Sequence, residues 1–491
     1  MKKYKIIILL HFLIAFNITA QNEKANELNS YINQLLKDTP IIPAVSVAVV
    51  TKYGIQFTEG FGVSDLSNNI HATGDTNFYL ASITKSFNGL LAYILVDEGM
   101  LDLNRSIIEY KPFKNFKRKE IFKNISIQDL LSHKSGIKGG GLLDTKLAYH
   151  GNYTDVEILQ IIENKTELRK KGESFSYTNY GYYFLDVILK AEFNKSWKDL
   201  LKEKVFDPLE MKTTTAYISQ VSKELLARPY STFIPENPIE TKAKKTDMTM
   251  HAAGGLVSNA NDIANFLTFY INEGNFKEHQ VYPRQLVQQT YKKQISAGHN
   301  STIYKGRGYG TGWRLGKYNG EDVVYHFGGY KGWFAHLSFL PEQKVGIAIF
   351  VNHDYGRQIA NLIATKAYNI YLGKTASFKP FKKILSENLN DWKEFGESVE
   401  KLNHYEWNLS LPKEDYSGTY NNLNLGNAII TYENRYFYIK LGHLKERIIP
   451  YSEKNTMLVE LYSHTRKKIK FNLEAGKIKN LSFDGILFDK H

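Results

Sequence analysis

Strand-like apolar runs stand at both ends of one long segment of this chain, with mostly helical patterning between them. At the near end, Ala44-Val45-Ser46-Val47-Ala48-Val49-Val50 is an almost unbroken apolar run. Lys52-Tyr53-Gly54 then reads as a turn and Ile55 to Phe61 as a returning strand. At the far end, Asp322 to Phe327, Trp333 to Leu340 and Val345 to Val351 read as three more strands, and a helix follows near Arg357 to Leu372. Residues Asn26 to Leu36 and most of the stretch from Ser82 to about Phe269 carry helical patterns. Strands so distributed share one sheet only if both ends of the segment meet. The economical fold class is α/β (α+β): an antiparallel sheet flanked by helices, with an inserted helical subdomain. A cleft is expected where the insert meets the sheet.

The chain has 491 residues, which suits two or three domains, and 43% apolar against 23% charged residues is a globular balance. Residues Phe378 to Pro412 are rich in Lys, Glu and Asn and read as a connector. From Tyr416 onward strand patterns recur: Ala428 to Tyr432, Tyr436 to Leu441, Arg447 to Pro450, Thr456 to Tyr462, Lys468 to Asn472 and Ile478 to Phe483. This predicts a small all-β barrel or sandwich. The expected division is a leader over 1–20, a main domain over 21–377, a polar linker over 378–412 and a β-domain over 413–491. A polar linker implies that few contacts fix the β-domain in place.

Met1-Lys2-Lys3-Tyr4-Lys5 followed by the apolar stretch Ile6 to Phe16 is the pattern of a secretory signal, with Ile18-Thr19-Ala20 before Gln21 as the cleavage site. An uncleaved anchor is the alternative. No later run is long enough for a membrane helix, so no transmembrane span is expected in the mature chain. With no cysteine there is no disulfide, no thiol catalysis and no cysteine-linked lipid. The expected location is periplasmic or secreted. The net charge of +13 is spread out. Its densest cluster, Arg466-Lys467-Lys468-Ile469-Lys470, reads as a solvated strand face, and no nucleic-acid partner is expected.

Ser82-Ile83-Thr84-Lys85 heads a helix whose apolar residues are Phe87, Leu90, Leu91, Ile94 and Leu95, ending at Gly99. Residues three apart share a helix face, so the Ser82 hydroxyl and the Lys85 amine can meet. A serine needs a base to become nucleophilic, and burial makes lysine one by disfavouring its charged form. The helix N-terminus adds N–H groups for an oxyanion. Ser-x-x-Lys also begins at Ser135, Ser398 and Ser410. Ser135 runs into glycines, Ser398 lies in a charged helical pattern, and Ser410 precedes Pro412, so only Ser82 opens an apolar helix. The local alternative is an N-cap serine with an incidental lysine. Tyr177-Thr178-Asn179 is a second candidate: a tyrosine beside a cation can shuttle protons, and an amide can hold a carbonyl or the lysine. His326-Phe327-Gly328-Gly329 is the chain's only His-x-Gly. It lies on a predicted strand where glycines let substrate approach the backbone. Taken singly, the first reads better as an aromatic helix start packing into the core, and the second reads equally well as a structural histidine at a strand end.

In that order, Ser-x-x-Lys, Tyr-x-Asn and His-x-Gly resemble the serine β-lactamase-related hydrolases, the class C and penicillin-binding-protein-like group that includes esterases and D-aminopeptidases. Similar flanking segments are Asp129-Leu130-Leu131-Ser132-His133-Lys134-Ser135-Gly136, Pro208-Leu209-Glu210-Met211, Ala253-Gly254-Gly255-Leu256-Val257-Ser258, Tyr309-Gly310-Thr311-Gly312-Trp313, and Pro341-Glu342 leading to Val351-Asn352. The resemblance covers roughly Leu28 to Gly373, and the last part of the chain is similar to the lipocalin-like β-domain often appended in this group. It implies Ser82 as acylated nucleophile, Lys85 and Tyr177 sharing proton transfer, and Asn179, His326, Gly328 and Gly329 as substrate-binding residues. The N–H groups of Ser82 and Gly329 would form the oxyanion hole. It also implies no cofactor and no metal.

His326 stands where relatives carry a lysine. A histidine is largely neutral near pH 7, so weak dependence on a substrate carboxylate is expected. The expected activity is a secreted serine hydrolase cleaving esters or small or D-amino-acid peptides, with cell-wall fragments among the candidate substrates. The alternatives are a β-lactamase or D-Ala-D-Ala carboxypeptidase and, in another class, a penicillin-binding sensor without turnover. Oligomeric state is not legible.

Overall fold

The computed structural model describes residues 21–138, 142–151, 153–169, 171–231, 238–298, 300–374, 405–462 and 465–491, with a few single positions between 383 and 394. The expected leader, Ser398 and most of the expected linker lie outside the described residues.

Both ends of the long segment meet in one sheet. Its near-end strands are β1 (Ala44–Thr51), β2 (Gly54–Asp65) and β3 (Ile70–His71). Its far-end strands are β4 (Lys305–Tyr309), β5 (Arg314–Tyr318), β6 (Glu321–Tyr330), β7 (Trp333–Leu340) and β8 (Val345–Val351). The order is β4-β5-β6-β7-β8-β1-β2-β3, antiparallel throughout. β1 and β8 close the sheet with Val47 opposite Ile349 and Val49 opposite Ile347.

Both strands are fully buried because helices cover both faces, which is why their sequences run apolar without alternation. Behind the sheet lie the helical residues 21–38 and a helix over Gly356–Leu372. Leu28, Ile32, Ile359 and Ile363 share a core there with Val45, Val47 and Val49. On the other face Ala48 and Val50 join the core that contains Phe87, Ile263 and Leu267, from helices over Thr84–Asp97 and Ala260–Ile271. The inserted helical part, including Tyr180–Phe193, continues that core.

The C-terminal unit is a closed barrel of eight strands, from Gly418–Asn422 to Ile486–Lys490, with the first strand paired to the last. Its interior is filled by side chains such as Phe437, Ile448, Leu481 and Phe488, as eight strands allow. The barrel is not loosely tethered, contrary to what the polar connector implied. His150 Nε2 lies 2.9 Å from the Tyr462 hydroxyl. Lys146 Nζ donates to the Asn424 carbonyl at 2.9 Å, and Lys242 pairs with Glu446 at 2.7 Å. The connector's composition could not reveal this, because the contacts come from the barrel's own strands and turns. Among the described residues no helix is long and apolar enough to cross a membrane.

Candidate active site

Ser82 sits in the single turn Ala81–Ile83 that joins the short strand Phe78–Tyr79 to the helix Thr84–Asp97. Ala81 has φ +46°, a left-handed conformation that costs a residue with a Cβ about 1–2 kcal/mol. The turn is held from both sides. The Leu80 N–H donates to the Leu256 carbonyl at 2.8 Å. Gly328 packs so closely on Leu80 that a Cβ there would lie 1.9 Å from its carbonyl oxygen.

Lys85 is fully buried in the first turn of the helix. Its Nζ lies 3.1 Å from Ser82 Oγ, 2.8 Å from Asn179 Oδ1 and 2.7 Å from the Ala253 carbonyl oxygen. Two of these partners can only accept. A neutral amine gives them its two N–H groups and keeps its lone pair for the Ser82 hydroxyl. The environment favours that state. Burial pushes the Lys85 pKa below its ordinary value and Arg314 adds to this, while the Tyr177 phenol and the Asp144 carboxylate oppose it. Asn179 is the residue preceding the helix Tyr180–Phe193, yet its side chain does not cap that helix. Asparagine is a favoured N-cap, so its use on Lys85 forgoes a local gain.

The Tyr177 ring centroid is 4.9 Å from Lys85 Nζ. The ring packs on His133 at 4.5 Å, and the Arg314 guanidinium lies 5.4 Å from its centroid. His326 is buried on β6, with Nε2 3.2 Å from the Tyr309 hydroxyl and Nδ1 2.7 Å from the Phe327 carbonyl. The neutral tautomer that donates from Nδ1 and accepts at Nε2 satisfies both partners. Burial, then Arg314 and Lys85, hold its pKa well below the ordinary value. Gly328 is buried against the Ser82 turn, whereas Gly329 is exposed and a Cβ there would meet nothing. The structure thus brings Ser82, Lys85, Tyr177 and Asn179 together, with the strand of His326, Gly328 and Gly329 against the same turn.

Sequence reasoning missed Arg314 and Asp144. Arg314 follows Trp313 at the start of β5, between β4 and β6, half-buried over Phe175, Tyr177 and Tyr309. Among the described residues it forms no ion pair. Its one sequence signal is its position directly after the Tyr309–Trp313 segment. Among the described residues no cluster of His, Cys, Asp or Glu suited to a metal is found.

A sheet built from both ends of one long segment, a helical insert and a serine within reach of a buried lysine define a serine hydrolase. The chain belongs to the beta-lactamase family, whose model matches residues 32–369. It is 24% identical over 352 residues to Protein flp of Staphylococcus aureus (strain MW2), across 71% of this chain and 67% of that protein. It is also 24% identical over 385 residues to the Unguisins hydrolase ungD' of Aspergillus campestris, across 73% of this chain and 66% of that protein. In fold it is similar to the octameric penicillin-binding protein homologue from Pyrococcus abyssi, with TM-score 0.61, 22% identity and coverage of 95% of this chain and 99% of that one. The D-amino acid amidase from Ochrobactrum anthropi SV3 aligns with TM-score 0.58 and 22% identity, over 70% of this chain and 97% of that one.

Proposed function

We propose that this protein is an exported serine hydrolase that forms an acyl-enzyme on Ser82 and cleaves small amides, D-amino-acid peptides or esters. The observation that carries this reading is the triple coordination of Lys85, which leaves a lone pair facing the Ser82 hydroxyl. In the first step Ser82 Oγ bonds to the substrate carbonyl carbon and its proton passes to Lys85 Nζ. The carbonyl oxygen becomes an oxyanion, met by the N–H groups of Ser82 and Gly329. Collapse of the intermediate expels the amine or alkoxide, which takes the proton back, with the Tyr177 phenol as an intermediate stop. Water then repeats the sequence on the acyl-enzyme and frees the acid.

His326 supplies no positive charge in its buried neutral state, as its sequence led us to expect. Arg314 does, and an unpaired guanidinium beside Tyr177 suits a carboxylate. That restores carboxylate recognition by another residue and favours peptide-like substrates over neutral esters. The names of the amidase and of the penicillin-binding protein homologue are in keeping with this class. The basic and apolar segments of residues 1–16 support export, and N-terminal sequencing of protein recovered outside the cytoplasm should begin at Gln21. The deciding test is an activity profile on p-nitrophenyl esters, D-amino-acid amides and a chromogenic cephalosporin, run with wild type and Ser82→Ala. Wild type should turn over steadily and Ser82→Ala should be inert to substrates and to a fluorophosphonate probe. Labelling retained at another serine would remove Ser82 from the mechanism.

A further inference from the structure

We propose that the C-terminal barrel fixes one wall of the Ser82 cleft: Tyr462 and the Gly442–His443 turn hold residues 146–150 so that Tyr149 and Tyr330 form an aromatic face for the bulky group of the substrate. The proposal rests on the reading of Ser82 as nucleophile.

Tyr330 directly follows Gly329 on β6. Its ring meets Tyr79 edge-on at 5.3 Å, in the short strand that leads into the Ser82 turn. Tyr149 stacks on Tyr330, with centroids 5.1 Å apart and planes 23° apart. The Tyr330 hydroxyl donates to the Ala148 carbonyl at 3.0 Å. Lys245 Nζ, 3.8 Å from the Tyr330 centroid, donates to the same carbonyl at 3.0 Å and to that of Thr249 at 3.2 Å. The Asp144 carboxylate bears electrostatically on both Lys85 and Tyr149, so this segment lies within electrostatic range of the catalytic lysine.

Residues 142–151 have little internal structure to place them. A four-residue helix, Leu142–Thr145, and a single wide turn, Lys146–His150, follow a run of glycines and end at Gly151 with φ +61°. Their position comes from what they pack against. On the barrel side the Tyr462 ring is 4.6 Å from Tyr149 and its hydroxyl 2.9 Å from His150 Nε2. The His443 N–H donates to the His150 carbonyl at 3.2 Å. Gly442, at φ +62°, comes so near that a Cβ would lie 2.5 Å from that carbonyl oxygen. Tyr462, Tyr149, Tyr330 and Tyr79 therefore form one row of rings from the barrel to the Ser82 turn. An acetyl group is too small to need this face, whereas a benzyl-sized group gains from it.

The test compares full-length wild type with Tyr462→Ala, Tyr462→Phe, Tyr149→Ala and Lys242→Ala, using D-phenylalanine amide against D-alanine amide. Melting temperature is followed in parallel. A lost apolar contact is worth roughly ten-fold or more in specificity. Tyr462→Ala should lower the kcat/KM ratio for the bulky over the small substrate by roughly that amount, mostly through KM, with D-alanine amide turnover kept. Tyr462→Phe, which retains the ring, should keep most of the ratio. Tyr149→Ala should lower the ratio with the barrel's own sequence unaltered, so an unstable Tyr462 variant does not leave the matter undecided. Lys242→Ala breaks the ion pair with Glu446 between the two units but does not touch the row of rings, and should leave the ratio unchanged. An unchanged ratio in both Ala variants of the tyrosines, or an equal fall in Lys242→Ala, overturns the proposal while Ser82 stands. Hydrolysis persisting in Ser82→Ala would remove the reading beneath it.

Discussion

At the scale of single residues, the site turns on what each buried polar atom can donate or accept. Lys85 meets two obligate acceptors and one hydroxyl, so its neutral form fits and its charged form is disfavoured by burial. Lys85→Ala is expected to lower kcat by about 10² or more, the scale of a lost general base, and stopped-flow acylation measures it. The pH profile follows from the same shift. A base works deprotonated, so kcat/KM should rise with pH on a limb whose midpoint lies below the ordinary lysine value of 10.5. A flat profile on that side would exclude Lys85 as the base. Arg314 bears on the substrate. One charge-assisted hydrogen bond is worth ~1.5–3 kcal/mol. Arg314→Met should therefore raise KM for carboxylate-bearing substrates by roughly ten- to a hundred-fold and leave their methyl esters nearly unaffected. Equal effects on acid and ester would show that Arg314 only packs against Tyr177.

At the scale of elements, β6 carries two adjacent glycines with different duties. Gly328→Ala puts a Cβ 1.9 Å from the Leu80 carbonyl oxygen, while Gly329→Ala points into open space. The first should lose both stability and activity, because backbone on both sides must move. The second should fold like wild type and change only turnover. Melting curves and kcat/KM for the two variants separate these outcomes, and equal melting losses would contradict the close packing of β6 on the Ser82 turn. These neighbours also mark how far sequence reasoning reaches. β1, β7 and β8 were legible because both-face burial writes a continuous apolar run. β4 and β5 were not, because Lys305–Tyr309 is the edge strand and both it and its neighbour Arg314–Tyr318 are rich in glycine and cations. The first and last barrel strands carry Asn, Asp and Lys and close the ring by pairing with each other across the whole domain. Ser82 and Lys85 were legible because their spacing is local. Arg314, Asp144 and the Ala253 carbonyl reach Lys85 or Tyr177 only through tertiary packing, and no spacing along the chain records that.

At the scale of the whole molecule, the fold stores a dependence on acid in its buried histidines. His133, His251 and His326 are held well below the ordinary value of 6.5, each mainly by burial. His150 is held at about 4 and His336 at about 3 for the same reason. In each case the unfolded chain takes up a proton as pH falls through 6.5 while the folded chain does not. Stability is therefore complete above that value and is lost as pH falls toward the folded pKa, at about 1.4 kcal/mol per pH unit for each such group. Asp186 and Asp354 act in the opposite sense, since burial pushes their carboxyls up. The ordinary value of such a carboxyl is 3.8, so they offset the histidines only toward the acid end. The melting temperature should accordingly fall steeply between pH 7 and pH 5, measured by calorimetry at fixed ionic strength. His336→Gln, at a site buried behind the sheet among Tyr304 and Ser338, should make that slope shallower without changing the pH profile of kcat/KM. A melting temperature that does not move over this range would mean that these histidines are charged or wetted in the folded state. The dry core on both faces of the sheet would then be wrong.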